Sequence, residues 1–472
     1  MVIARVDSAG YCKLFVLVLY VQKALLVVRM KKIHKNKRYV YDPLYGIIYL
    51  PNFIWDIIHS PELQRLREVR LCNINSLCLT GGANINRYEH AIGTYHLAQE
   101  CLNSWPPLNP ISEKERKLFL LAALLHDMAS GAFGHSVEYI ESKEGFNHEK
   151  AFEYVAVGEK GESYQYKSAT LEPIFFGMTR ELSSKVTKED LEAIGKIIIG
   201  KGRFGPLINS TMDLDNIDNV FRLAYHVGLV KSGEVPLKLA KSLWIEKGKL
   251  VLNKEAVYLV EEWHKVRKKL YFLLLRNPEE FSAKCMLTEA IELAKAKDLF
   301  SFSWHDVDYE LLQKLSEVSS ETSVIISRLM KGILYGCIGI FSTTKTDKYK
   351  IFSDMSRRRK LEDELTEMMR SRFSPRFKSA MVAIHPIIDV NKTERQVCIQ
   401  TDDNQVIQIG RSSNRLLIGV FLKNVDLDMY KINTLPNNVI SRIRHEISIC
   451  ISNILEDERL EEVVLYDEIK CE

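Results

Sequence analysis

The 472-residue sequence contains no CxxC pair, no internal repeat and no low-complexity tract. It also lacks an uninterrupted apolar run long enough to span a bilayer. Each absence removes a class of protein. Nine cysteines without pattern fit the reduced thiols of a cytoplasmic protein better than a disulfide framework. Neither sign of charge dominates: 65 basic residues face 61 acidic ones, for a net charge of +4. That balance does not indicate a nucleic-acid coat, so any basic patch must be local. The apolar stretch from Leu14 to Val28 is broken by Gln22 and Lys23, leaving segments too short to cross a membrane. No small-residue cleavage site follows it, so a signal peptide fits poorly. The basic segment opened by Met30 leads directly into motif sequence, so either Met30 is expected to be the start or residues 1–29 are a dispensable extension.

What is present is ordinary for a globular protein: 46% hydrophobic and 27% charged residues, in a chain long enough for two or three domains. From Asp42 to Phe300, apolar residues recur at three- and four-residue spacing, which predicts helices. The run Leu118 to Leu125 reads as a buried helix capped by Ser112. Residues 253–275 and 283–296 read as two more, and only Ile47 to Leu50 suggests a strand in this part. Beyond residue 300 the pattern stays helical from Tyr309 to Leu334, then turns to alternating Val and Ile over 379–400 and 405–422. A last helix is expected from Asn438 to Leu455, and the basic run Ser356 to Lys360 reads as solvated surface. The expected fold is mainly α: a helical catalytic domain over residues 30–300, then a helical and finally mixed α/β region over 301–472.

Four elements on this scaffold can carry chemistry: Arg87-Tyr88-Glu89-His90, His126-Asp127, Gly134-His135-Ser136, and Asp213-Leu214-Asp215. Adjacent helical side chains diverge by about 100°, so His126 and Asp127 can converge on one ion only near a helix end or beside a second helix. His90 and Asp215 would complete a set of two imidazoles and two carboxylates. Such a set suits a first-row divalent metal with open positions, which would activate water or polarise a phosphoryl oxygen. Taken singly, each residue also has an ordinary reading: His90 as a hydrogen-bonded core histidine, Asp215 as a helix cap.

The company these residues keep is more specific. Tyr41-Asp42-Pro43-Leu44-Tyr45-Gly46 is followed by Ser60-Pro61-Glu62-Leu63-Gln64-Arg65-Leu66-Arg67. Next come Asn86 to His90, Leu125-His126-Asp127, Phe133-Gly134-His135, Asn147-His148-Glu149, and Asp213 to Asp218 with Arg222. In order and spacing this series resembles the HD-domain deoxynucleoside triphosphate triphosphohydrolases, dGTPase-like enzymes among them, over residues 38–335. The resemblance implies a helical HD core, an oligomeric enzyme, and a divalent ion (Mn, Mg, Fe or Zn) held by His90, His126, Asp127 and Asp215. It further implies that Arg87 contacts the α-phosphate. His135 would serve as proton donor or base, with His148 supporting it and Glu138 as the accompanying carboxylate. Arg267, followed by the aromatic Tyr271, would bind the phosphates of the substrate, and the product would be a nucleoside plus tripolyphosphate.

The pattern also departs from the family. Ser130 replaces a histidine, Glu138 replaces an aspartate, and Asn216 and Asn219 stand where a lysine and a tyrosine grip the terminal phosphates. Leu71 replaces a glutamine that reads the sugar. His59 replaces a guanine-reading aspartate, although Gln64 and Arg67 remain. Lys268 or Lys269 could restore the missing charge. Three readings therefore stay open: a (d)NTP triphosphohydrolase, an HD hydrolase for another nucleotide phosphate ester, or a degenerate nucleotide-binding sensor or partner subunit. The strands of the C-terminal region could serve an oligomer interface or dock a partner protein. A nucleic-acid partner is not indicated, and no membrane partner is expected.

Overall fold

The computed structural model describes residues 38–72, 84–134, 148–157, 165–166, 174–175, 186–297, 304–373, 375–457 and 460–463. The N-terminal extension and the candidates His135 and Glu138 lie outside the described residues.

The chain enters through a hairpin of β1 (Arg38–Asp42) and β2 (Gly46–Leu50). Asp42 makes its turn by accepting backbone hydrogen bonds from Leu44 and Tyr45, at 2.9 and 2.8 Å. The short helices α1 (Asn52–Ile58) and α2 (Pro61–Arg65) follow. The domain core is then built by α3 (Arg87–Asn103), α4 (Glu113–Leu125), α5 (His148–Val157), α6 (Lys188–Ile198), α7 (Leu214–His226) and α8 (Glu234–Lys241). Side-chain caps start these helices where the sequence offers them. Asn86 accepts from Glu89 N, Ser112 and Glu115 form a reciprocal capping box, and Asp213 accepts from Asn216 N.

A hairpin of β3 (Leu243–Glu246) and β4 (Lys249–Leu252) comes next, in a part of the sequence expected to be helical. Its two-residue turn places Lys247 at φ 49° and Gly248 at φ 77°. Both central residues at positive φ is the turn that matches strand twist. The helices α9 (Val257–Arg276) and α10 (Pro278–Lys295) are joined at Asn277, and α11 (Asp308–Val318) and α12 (Ser320–Met330) break at Ser319.

The C-terminal part adds β5 (Gly336–Thr343), α13 (Met355–Arg372), β6 (Val382–Val390), β7 (Val397–Thr401), β8 (Val406–Ile409), β9 (Asn414–Leu422), α14 (Asn437–Leu455) and β10 (Glu461–Glu462). The antiparallel sheet β10-β5-β9-β6 is covered on both faces. Leu417 and Phe421 face the helices α10 to α12, while Leu416, Ile418 and Val420 face α13 and α14. This period of two, apolar on both faces, is what the alternating Val and Ile pattern encodes. The β7–β8 hairpin leaves that sheet. It pairs β7 in parallel with β4, Val251 opposite Gln400 and Leu252 opposite Thr401, and places Val397 and Ile399 in the core of the helical domain. Among the described residues, no helix is long and apolar enough to cross a membrane.

Helices α3 and α7 approach closely at Gly93. A Cβ added there would lie 2.0 Å from Arg222 Nη2 and 2.2 Å from Asp218 Oδ1. Replacing a helical glycine by alanine ordinarily stabilises by about 1 kcal/mol. At Gly93 the sign should reverse, because the added methyl must push a buried ion pair apart. Gly93→Ala is expected to lose about 2–4 kcal/mol in urea denaturation; a neutral result would mean that the helix pair can yield. A second prediction concerns β6, where His385 packs edge-on against Phe281 with ring centroids 5.7 Å apart. Burial, then the nearby cations of Arg358 and Lys284, push its pKa down from 6.5 to about 3. The unfolded chain therefore takes up a proton that the folded chain refuses, so this contribution to stability is present above about pH 6.5 and is lost as pH falls towards 3. His385→Gln should flatten the fall in melting temperature between about pH 7 and 5; equal slopes for the two proteins would refute this.

Candidate metal centre

His90 sits on the first turns of α3, His126 caps the end of α4, Asp127 follows in the turn beyond it, and Asp215 occupies the first turn of α7. The convergence that the His126-Asp127 pair requires is thus achieved at a helix end. His90, His126 and Asp127 form a buried group whose donor atoms all lie within 4.8 Å of one another. Asp215 closes the ring: its Oδ1 is 2.9 Å from His90 Nε2 and 3.5 Å from His126 Nε2.

The ring tautomers follow from what lies behind each imidazole. His90 Nδ1 is 2.7 Å from Asp218 Oδ2, and His126 Nδ1 is 3.0 Å from the carbonyl of Ala123. Both partners can only accept, so each Nδ1 carries a proton and each Nε2 is the ring atom turned to the centre, open to a metal or, without one, to a second proton. The two Nε2 atoms then face each other at 3.2 Å. Two imidazole nitrogens converging with carboxylate oxygens in a buried space call for positive charge there, carried by ring protons or by a bound cation. The donor set therefore fits a divalent cation.

The same field favours protons on the histidines when no metal is bound. Burial disfavours a charged His90, yet the hydrogen bonds of Asp215 and Asp218 outweigh it and lift the pKa to about 10. Burial also works against ionised Asp127 and Asp215. The neighbouring cations prevail: Arg87 and the two histidines hold Asp127 well below the usual carboxylate range, and His126 and His90 do the same for Asp215. Asp218 falls to about 2, because Arg222 and His90 overcome its burial.

Behind His90 lies an ionic network centred on the fully buried Arg222. Arg222 bonds Asp218 on its own helix at 2.8 Å, Asp42 of the first hairpin at 2.8 Å and Glu89 of α3 at 2.6 Å. Tyr45 donates to the other Asp218 oxygen at 2.8 Å. On the opposite side, Arg87 donates to Asp127 Oδ2 at 2.6 Å. Its guanidinium lies over Gly134 (φ 47°), where a Cβ would come within 2.1 Å of Nη2. Ser130, the residue in place of a family histidine, donates to Asp127 Oδ1 at 3.0 Å, and His148 Nε2 is 3.7 Å from that oxygen. Arg65 fixes this loop from behind through the carbonyls of Met128 and Ser130, at 3.1 and 2.6 Å.

The candidate substrate residues lie on the α7–α9 side. Arg267 is buried, stacks over Tyr271 at 4.3 Å, and has Nη1 3.5 Å from Asn216 Oδ1. Asn216 in turn donates to Asp213, and the buried Asn219 Oδ1 has no hydrogen-bond partner among the described residues. Lys268 does not supply the missing charge: it pairs with Glu394 at 3.2 Å, and Lys269 is exposed. The cation at Asn216 is instead Arg395, from the loop between β6 and β7, whose Nη1 is 3.1 Å from Asn216 Oδ1. Nothing local in the sequence marks Arg395. The supporting roles of Asp218 and Arg222 could have been suspected from their four-residue spacing on an amphipathic helix.

Comparison with known proteins agrees with this geometry. The HD domain model matches residues 87–198, the stretch that supplies Arg87, His90, His126 and Asp127. The chain is 26% identical over 257 residues to the uncharacterized protein YwfO of Bacillus subtilis, covering 54% of this chain and 55% of that protein. It is 24% identical over 279 residues to the deoxynucleoside triphosphate triphosphohydrolase SAMHD1 homolog of Dictyostelium discoideum, covering 56% and 51%. The chain thus spans about half the length of the curated relatives it matches. In fold it is similar to the crystal structure of a phosphohydrolase from Bacteroides thetaiotaomicron, with a TM-score of 0.58 at 16% identity over 81% of this chain and 99% of that one. The chain carries an HD domain and is a distant homologue of the SAMHD1-like deoxynucleoside triphosphate triphosphohydrolases.

Proposed function

We propose that this protein is a metal-dependent phosphohydrolase that cleaves (d)NTPs to the (deoxy)nucleoside and tripolyphosphate. The observation that carries this reading is the meeting of His90, His126, Asp127 and Asp215 from the termini of three helices, with both imidazole Nε2 atoms turned inward. A divalent ion held there would supply Lewis acidity towards a phosphoryl oxygen and lower the pKa of a water. The chain's own residues do the remainder. Arg87 stands beside the candidate metal ligands, its buried Nε without a hydrogen-bond partner among the described residues, and its guanidinium would contact a phosphoryl oxygen. Asp218 holds His90 in the tautomer that binds metal, and Ser130 holds the orientation of Asp127. Arg267, stacked on Tyr271, offers positive charge one helical residue beyond Asp215, through Asn216. His135 and Glu138 keep the roles implied by the family resemblance.

The experiment is a (d)NTP panel with Mn²⁺ or Mg²⁺, separating tripolyphosphate from pyrophosphate and orthophosphate. Tripolyphosphate should be the inorganic product, and Asp127→Ala should lower kcat by roughly 10³-fold or more. Orthophosphate or pyrophosphate alone would transfer the protein to another class of phosphate ester. Nucleotide binding without turnover would make it a sensor. Independently of turnover, Asp218→Asn should weaken divalent-metal binding by about 10–100-fold, because the lost carboxylate no longer fixes the His90 ring. Unchanged affinity in a metal titration of folded protein would exclude that support.

A further inference from the structure

We infer that Arg395, in the loop between β6 and β7, is a substrate-binding residue: with Arg267 it forms a two-guanidinium clamp for the outer phosphates of a polyphosphorylated nucleotide. The inference rests on the hydrolase reading above for its ligand, and on separate observations for its geometry. Arg267 and Arg395 reach the same acceptor, Asn216 Oδ1, at 3.5 and 3.1 Å, and also share the carbonyl of Asn391, at 3.4 and 3.2 Å. Neither makes an ion pair with a carboxylate among the described residues. Arg87 and Arg222, by contrast, each meet one within 2.9 Å. The Nε of Arg267, on a side chain 1% exposed, has no hydrogen-bond partner among the described residues. Two like charges on one amide oxygen repel each other, and burial adds to the cost. An anion between them reverses that balance, and a bidentate fork suits phosphate oxygens.

The placement selects the kind of anion. Asn216 follows the metal-ligand candidate Asp215, so the clamp begins one residue beyond the metal centre along α7. An anion long enough to reach both is a chain of phosphates rather than a single one. Asn216 also occupies the position where the family's lysine would stand, so Arg395 returns from the C-terminal region the charge that α7 lacks. The loop that presents it is built to hold still. Asp389 accepts from the backbone of Lys392 and Thr393, at 3.1 and 3.0 Å. Asn391 adopts φ 52° with its side chain bonded by Ser412 at 2.7 Å, and the Arg395 carbonyl is 2.9 Å from His264 Nε2. Arg395 Nη1 is bonded by the Thr211 carbonyl at 3.1 Å, just before α7. The guanidinium is thereby oriented before any ligand arrives.

The test is calorimetric binding of inorganic tripolyphosphate and of orthophosphate to the full chain, with EDTA present, for wild type, Arg395→Ala and Arg395→Lys. Wild type should prefer tripolyphosphate. Arg395→Ala should weaken tripolyphosphate binding by about 10–100-fold and orthophosphate binding far less, and Arg395→Lys should recover part of the loss. Melting curves identify an unfolded variant, in which case Arg395→Gln takes its place. Wild-type protein that does not bind tripolyphosphate, or an Arg395→Ala that binds both anions like wild type, overturns the inference. Equal loss for both anions, unrepaired by lysine, also overturns it, since that marks a general structural defect. Absence of hydrolysis with Arg395-dependent binding intact would defeat only the hydrolase reading.

Discussion

The guanidinium of Arg222 is the point on which the site depends. It has no exposure to solvent, yet it touches carboxylates from three parts of the chain: Asp42, Glu89 and Asp218. Burying such a charge is expensive, and the expense is recovered only when every partner is present in good geometry. That condition makes the network a device for specifying position more than a source of stability. The first hairpin, α3 and α7 cannot shift independently without leaving a charge unpaired in the interior. Gly93 is a glycine for the same reason, since no side chain fits between α3 and the pair Arg222–Asp218.

Position at Arg222 becomes orientation at His90. Asp218 shares its carboxylate among Arg222, Tyr45 and the His90 Nδ1, so the imidazole is held in plane and tautomer by a group that cannot itself rotate. The far nitrogen then points where Asp215 and His126 meet it. Helix ends contribute as well. Asp215 lies in the first turn of α7, where the unpaired backbone N–H groups favour a carboxylate. His126 lies at the carboxyl end of α4, where exposed carbonyls favour positive charge beside it. The concentration of negative charge at the centre is therefore a property of the scaffold, and a cation is its natural complement.

The sequence made some of this legible because the signals are local. An N-cap three residues before Glu89, an apolar helix ending in His-Asp, and a second capped helix carrying Asp215 can each be read within a dozen residues. The helices read over 253–275 and 283–296 fall on α9 (257–276) and α10 (278–295), and the alternating stretches 379–400 and 405–422 contain the strands at 382–390 and 414–422. The β3–β4 hairpin was not. Its Lys-Gly turn is short, its strands are four residues each, and their apolar positions are also compatible with helix. The pairing of β7 with β4 joins residues about 150 apart in the chain, which no local pattern encodes. Arg395 belongs to this second class. In sequence it is one arginine among polar loop residues, and only the tertiary fold sets it beside Asn216.

That non-local pairing also explains why a loop from the C-terminal region holds a fixed place beside the candidate metal centre. Between β5 and β6 the chain is occupied with its own sheet, but β7 then crosses back and locks to β4 at Val251–Gln400 and Leu252–Thr401. The backbone of Asp402 donates to Leu252 O at 3.1 Å, and its side chain accepts from Lys254 N at 3.1 Å, so the register has independent fixings beyond the strand. Val397 and Ile399 bury themselves in the helical core, and a one-residue slip would turn both outward. Arg395, two residues before Val397, inherits that register. Its place beside Asn216 is set by hydrophobic burial on one side and by the Asp389 and Asn391 turn on the other. The C-terminal region is accordingly part of the architecture that positions charge around α7, and changes in its sheet packing have a direct physical route to the site.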